Sequence, residues 1–414
     1  MSTTISLFGI RGYPSFFWGR TFNSISIWVD FTLIFSLLSF NFDASPGVLG
    51  MTAALYGLPG LLAGPFIGAL ADRKSPALVM LCGAFARFVT SLGLAFAPNE
   101  GVFAVWVFAK GVSNLGTIPA EQIVIRRLLS DAQIVSTVAL TSIVDQCTKI
   151  LSPLLGAALS FAHHSQGGFA LTAILAVFSM GCAIGVAGAV GWRHSNESHR
   201  PRYPDFALFW RLIVERPALA SALGLVVTFS TILGLYDSLV VVLLRDHGQP
   251  ASSFGSIVSC TALGAIGCGV FLKNILAHVS ESKSMTWFLV GFSATVLVAG
   301  VLALTVTKLS LGVLCLLWCI NGFCYGGGVM AYAIALQKEA PPDSLGVVSA
   351  SARSMQLAAL VVGPIIGSWV AQHLGLEITF VSAGGIGLSI AVCATLKQAL
   401  ARQRSNKRAS VQSM

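Results

Sequence analysis

The sequence predicts an all-α membrane protein of twelve transmembrane helices, arranged as two pseudo-symmetric halves of six. Three observations carry this. Hydrophobic residues make up 55% of the 414-residue chain against 10% charged, a balance that excludes an ordinary soluble domain. Apolar runs of roughly 20 residues, the length a helix needs to cross about 30 Å of hydrocarbon, recur with short breaks. A shift of 211 residues lays Gly111 and Gly116 on Gly322 and Gly327, Arg127 on Lys338, and the SPLLG of Ser152 to Gly156 on the GPIIG of Gly363 to Gly367, which reads as an internal duplication.

The elements follow in order. The first run, 16–40, carries Asp30 in its middle, lacks a cleavage-type ending and is followed by eleven more, so it is a retained span and not a signal peptide. The second, 47–71, repeats Gly60, Gly64 and Gly68 at every fourth position, leaving one helix face bare enough for a neighbouring backbone, and ends in the charges Asp72, Arg73 and Lys74. Runs 77–97 and 101–120 hold Arg87 and Lys110; on the latter Lys110, Asn114, Thr117 and Glu121 share one helix face. Run 133–162 holds Asp145, Lys149 and Pro153, with the acid and the lysine spaced for an ion pair, while run 169–192 holds no membrane-depth charge.

The longest hydrophilic break, 193–216, separates six runs from six. Its PDFALFWRLIVERP segment sets Phe206, Phe209, Trp210 and Ile213 beside Arg211 and Arg216, the pattern of a short helix lying in the membrane interface. The second half comprises 217–243 with Asp237, 252–276, 285–307, 310–335 with a stripe of Trp318, Asn321, Tyr325 and Tyr332, 346–371 with Arg353 and Pro364, and 377–397. The expected organisation is therefore a first half at 1–192, a linker at 193–216, a second half at 217–397 and a basic tail at 398–414.

The net charge of +9 is a topology signal and not a nucleic-acid footprint. Both tails and the breaks after runs two, four, six, eight and ten carry the lysines and arginines, among them Arg73, Lys74, Arg126, Arg127 and Lys338; the opposite breaks hold only Arg245 and Lys308. By the positive-inside rule both termini are cytoplasmic. All nine cysteines lie in apolar runs, so disulfides are not expected, and Cys315, Cys319 and Cys324 are read as apolar filler in preference to a metal site. The loop histidines His163, His164, His247 and His373 are read as solvated. There is no phosphate loop and no soluble segment beyond about 25 residues, so neither an ATP-driven nor an enzymatic function is expected, and no cofactor.

Gly68, Asp72 and Arg73, placed between runs two and three, resemble the G-x-x-x-D-R-x-G-R-R loop of the major facilitator superfamily; Ser75 and Pro76 stand where that motif has glycine and arginine. The GPIIG at Gly363, Pro364 and Gly367 resembles the G-P-x-x-G element of facilitator antiporters, with Ser152 replacing the first glycine in the earlier copy beside Pro153. Phe16 to Asp30, Arg87 and the ERPALASAL opening the second half resemble the branch that includes enterobactin exporters and macrolide efflux pumps. The resemblance implies a monomeric transporter in a bacterial inner membrane that works by alternating access. Its first, fourth, seventh and tenth spans would line a cavity.

Charges at membrane depth are costly unless they face water or a partner, and here Asp30, Lys110, Asp145, Lys149, Asp237 and Arg353 fall on spans one, four, five, seven and eleven. A carboxylate moving between desolvated surroundings and the neighbourhood of a cation can bind and release a proton. Asp30 leads as proton-coupling candidate because no cation lies one turn away on its own helix, the competing reading being a fixed bridge to Arg87 or Lys110. Asp237 follows, then Asp145, expected to pair with Lys149. Arg20 and Lys273 are read as snorkelling from span ends. Lys110, Asn114, Lys149, Asn321, Tyr325 and Arg353 are the substrate-binding candidates; Gly64, Gly68, Asp72, Arg73, Pro153, Gly363, Pro364 and Gly367 are the conformational ones. The cationic bias points to proton-coupled export of a siderophore or similar amphipathic anion. The alternatives are a broad drug or macrolide efflux pump and a non-transporting membrane sensor or assembly partner.

Overall fold

The computed structural model describes residues 7–40, 46–192, 206–249 and 252–412. The described chain is helical: α1 Tyr13–Phe40, α2 Pro46–Arg73, α3 Pro76–Ala95, α4 Glu100–Ser113, α5 Thr117–Leu128, α6 Asp131–Val190, α7 Phe206–Glu215, α8 Pro217–Tyr236, α9 Val240–Asp246, α10 Ser252–His278, α11 Glu281–Thr305, α12 Leu311–Glu339, α13 Leu345–Leu374 and α14 Leu376–Gln412. Among the described residues ten helices are long and apolar enough to cross a membrane. An eleventh is present if Leu55–Gly64 and Phe66–Arg73, which meet at 58° about Pro65, form one span. Helix α1, with 28 residues, is about 42 Å long at 1.5 Å per residue and so has the length of a further span.

Three expectations shift. The run expected at 101–120 is two helices, α4 and α5, that together make one candidate span, Glu100–Leu128. Pro119 has no N–H with which to continue the ladder, and Asn114 and Leu115 close the preceding turn with bonds to Gly111 and Val112, three residues back. The break expected between 162 and 169 is helical, α6 carrying both candidate spans Asp131–Leu151 and Gly168–Val190; no proline follows Pro153 to interrupt the ladder. The backbone of α14 continues helical through the segment expected as a tail.

The chain forms two compact units. One comprises Met1–Ala220 with Leu336–Ala358, the other Ser221–Ala335 with Ala359–Met414. In the first, α1 and α3 pack on α6 and α2 packs on α4. Val29, Leu33, Phe103, Val107 and Phe169 make a sealed apolar core where α1, α4 and α6 meet. Outward-facing Leu62, Val105 and Ile365 are more than 60% exposed, as suits a surface solvated by lipid.

In the second unit α11 packs on α14, and α13 approaches α8 backbone to backbone. A methyl group on Gly367 would stand 2.0 Å from the Leu235 carbonyl oxygen, and one on Gly363 would stand 2.8 Å from Gly234. The GPIIG glycines are thus needed for a close helix crossing. Asn321 is buried and bonded on both ends, accepting from Tyr236 Oη at 3.2 Å and donating to Thr295 Oγ1 at 2.9 Å. Tyr325 packs against Phe229 and Phe292. His247 is buried and not solvated, its ring nitrogens 2.9 Å from Leu243 O and 3.2 Å from Ala303 O. His163, His164 and the side chain of Pro153 lie outside the described residues.

Candidate functional site

A cavity of about 420 Å³ opens within the first unit, large enough for a drug-sized molecule. Helix α1 contributes Arg20, Asn23, Ser24, Ile27 and Trp28, the i, i+3, i+4, i+7, i+8 face counted from Arg20. Helix α2 contributes Tyr56 and the bare edge of Gly60 and Gly64, α6 contributes Asp145, and α13 contributes Arg353. The break between α4 and α5 contributes Asn114 and α5 contributes Thr117 and Glu121, with Asn114 Nδ2 donating to Tyr56 Oη at 3.0 Å. Most of the wall is apolar or aromatic, and its charges are few.

Arg20 organises those charges. Its guanidinium donates through Nη1 to Glu121 and through Nη2 to Asp145 Oδ2 at 2.6 Å, while Ser24 Oγ donates to Asp145 Oδ1 at 2.8 Å. The planar fork suits a group that must hold two carboxylates at once. Glu121 is nearly sealed, its side chain 2% exposed, whereas the Asp145 side chain is 33% exposed to the cavity. Glu121 Oε1, Asn23 Oδ1 and Arg20 Nε have no hydrogen-bond partner among the described residues. Arg87, close behind this cluster, donates to Thr117 Oγ1 at 2.8 Å, and Arg20 is the cation that bridges both acids.

A second charged pair lies deeper. Asp30 and Lys110 meet at 2.7 Å with both side chains fully buried. Lys110 also donates to Ser91, which accepts from Thr172 at 3.0 Å, and Ser26 donates to Asp30 at 3.3 Å. This corrects three expectations. Asp30 is clamped, because the cation its own helix lacks is supplied across the packing by α4. Lys110 does not line the cavity, because it is spent on that clamp. Asp145 pairs with Arg20 and not with Lys149, whose ammonium sits 5.5 Å from the Trp28 ring centroid in a cation–π contact.

Other predicted residues fall as follows. Arg20 does not snorkel, since α1 begins at Tyr13 and places it two turns inside the helix. Asp237 is exposed, in a 3₁₀ turn at the end of the candidate span Pro217–Leu239. Arg353 and Asn114 reach the cavity; Asn321 and Tyr325 belong to the other unit. Glu121, at the end of the Lys110 stripe, is the buried acid that the fold brings to Arg20.

The glycine ladder and its charged end form a joint inside the first unit. A methyl on Gly68 would stand 2.4 Å from Gly346 O, and one on Gly64 would stand 2.7 Å from Ser354 Oγ. Beyond them Asp72, buried, accepts from the backbone N–H groups of Gly346 at 2.7 Å and Val347 at 2.8 Å. The carboxylate thereby caps the positive N-terminus of α13. Arg73 is half-buried at the end of α2. Ser75, in place of the motif glycine, donates to Gly191 O at 2.8 Å, and Pro76 opens α3 where a missing N–H is harmless.

Comparison with known proteins agrees with this architecture. A family model described as Major Facilitator Superfamily matches residues 16–356 and 234–412. The uncharacterized MFS-type transporter YfiS of Bacillus subtilis is 23% identical, with 95% of each chain covered. The multidrug transporter MdfA of Escherichia coli O157:H7 is 25% identical, with 81% of each chain covered. Among solved structures, a bacterial homologue of the iron transporter ferroportin in an outward-facing state superposes with a TM-score of 0.74 at 16% identity, covering 93% of this chain and 100% of that one. The human organic anion transporter MFSD10 gives 0.71 at 15% identity, covering 93% and 99%.

Proposed function

We propose, from the premise that the chain belongs to the Major Facilitator Superfamily and is therefore a transporter and not an enzyme, that it is a proton-coupled exporter of small amphipathic molecules working by alternating access. The observation that carries this reading is Arg20 held between Glu121 and Asp145 on the wall of the cavity. A proton placed on either acid removes a charge from that side of the fork and frees one arm of Arg20. A substrate bearing a donor or a positive charge competes for the same oxygens. Proton and substrate then exclude one another, which is the requirement of exchange. The aromatic and aliphatic lining beside the cluster supplies the apolar contact.

The siderophore reading rested on three cavity cations. Lys110 is sequestered by Asp30 and Lys149 lies on Trp28, which leaves Arg353 in the lining. Broad efflux of amphipathic compounds is accordingly the stronger reading, and an organic anion is the second, favoured by Arg353. Proteoliposomes separate them. The chain should exchange tetraphenylphosphonium for protons, Glu121→Gln and Asp145→Asn should each abolish that exchange, and Arg353→Gln should retain it. Transport of a carboxylate dye that is lost in Arg353→Gln, with no tetraphenylphosphonium exchange, would establish the anion reading instead.

A further inference from the structure

The polar contact next along the chain from the cluster lies outside the cavity lining. Gln122 follows Glu121 on α5 and is half-buried, while Gln337, in the last turn of α12, is fully buried. The Gln337 amide donates to the backbone carbonyl of Gln122 at 3.0 Å and again to the Gln122 side-chain oxygen. Both hydrogens of that amide are used, and its own oxygen has no partner among the described residues. Just beyond it the same stretch of chain is held elsewhere: Arg216 Nη1 donates to Glu339 O at 2.6 Å, and Asp72 caps α13 at Gly346 and Val347.

We propose that Gln122 and Gln337 form an amide latch that closes one mouth of the transport path, and that they are positioning residues for the conformational cycle. Two features of the pair fit a contact that must open at every turnover. The first is its balance: a buried acceptor without a partner offsets much of what the two donated bonds contribute, so closure is favoured only weakly, and opening lets water reach the orphaned oxygen. The second is its place. Gln122 is the neighbour of Glu121 on a short helix, so a change in the Arg20 fork moves the backbone carbonyl that Gln337 grips. The inference rests on family membership and not on the nature of the substrate.

Hydrogen–deuterium exchange of the full-length protein in lipid nanodiscs tests it without any ligand. At pH 9 the substitution Gln337→Glu sets acceptors against acceptors, and exchange over 117–128 and 336–350 should rise about tenfold, equivalent to about 1.4 kcal/mol. Adding Gln122→Lys supplies a donor for the new carboxylate and should reverse the rise. Gln122→Ala, which leaves the backbone acceptor in place, should give a smaller increase in the same segments. Unchanged exchange in Gln337→Glu overturns the proposal. So does a rise that extends equally to Glu281–Thr305, or one that Gln122→Lys fails to reverse.

Discussion

Replacing Asp72 with asparagine isolates the cap on α13. The carboxylate accepts two backbone hydrogen bonds of 2.7 and 2.8 Å from consecutive residues at a helix N-terminus, one on each oxygen. Asparagine keeps one acceptor of nearly the same shape and turns the other into a donor facing a donor. The variant therefore loses one charge-assisted bond, worth about 1.5–3 kcal/mol, and the charge–dipole attraction, worth about 0.3–1 kcal/mol. Taking about 2–4 kcal/mol together, the amides of Gly346 and Val347 should open roughly 30- to 700-fold more often, since 1.4 kcal/mol is a factor of ten. Amide exchange resolved to the peptide 345–350 reads this directly, with Asp72→Glu as a charge-retaining control that should recover part of the protection. If Asp72→Asn leaves those two amides as protected as in the parent, the cap does not hold the helix and the reasoning fails.

Two further outcomes follow from the packing. Gly367→Ala should lower thermal stability in detergent by the equivalent of about 1–3 kcal/mol, because its methyl would stand 2.0 Å from the Leu235 carbonyl, whereas Gly385→Ala, with nothing within 4 Å, should leave the melting temperature unchanged. Lys110→Ala should destabilise by about 3–5 kcal/mol by stranding a fully buried Asp30, and Asp30→Asn in the same chain should recover much of the loss; equal melting temperatures for the single and double variants would refute the pair's role.

Periodicity along a helix reports neighbours on the same helix, and that limit explains which residues could be found in advance. The stripe of Lys110, Asn114, Thr117 and Glu121 was legible because its members are turns apart on one run, and the loop after α2 was legible because Gly68, Asp72 and Arg73 lie within six residues. The partner of Asp72 lies 274 residues away, and no local pattern names it. The same holds for Asp30, whose clamp arrives from α4, and for Asp145, which prefers a guanidinium 125 residues distant to the lysine one turn away. Arg20 was misplaced for a different reason: an apolar run marks where hydrocarbon begins, whereas α1 starts at Tyr13, ahead of the run. The broken span was written in Pro119, but hydropathy averages over such a residue.

That break sets a mechanical constraint. Helix α4 has 14 residues and α5 has 12, so at 1.5 Å per residue the arms are about 21 Å and 18 Å long. Neither arm alone matches a hydrocarbon layer of about 30 Å. The two cross it only as a jointed strut, with the knuckle at Asn114 to Gly116 beside the cavity. A bilayer that thins or thickens can therefore be met by flexing this knuckle, and the depth of the membrane becomes a force applied next to the residues that would hold the cargo.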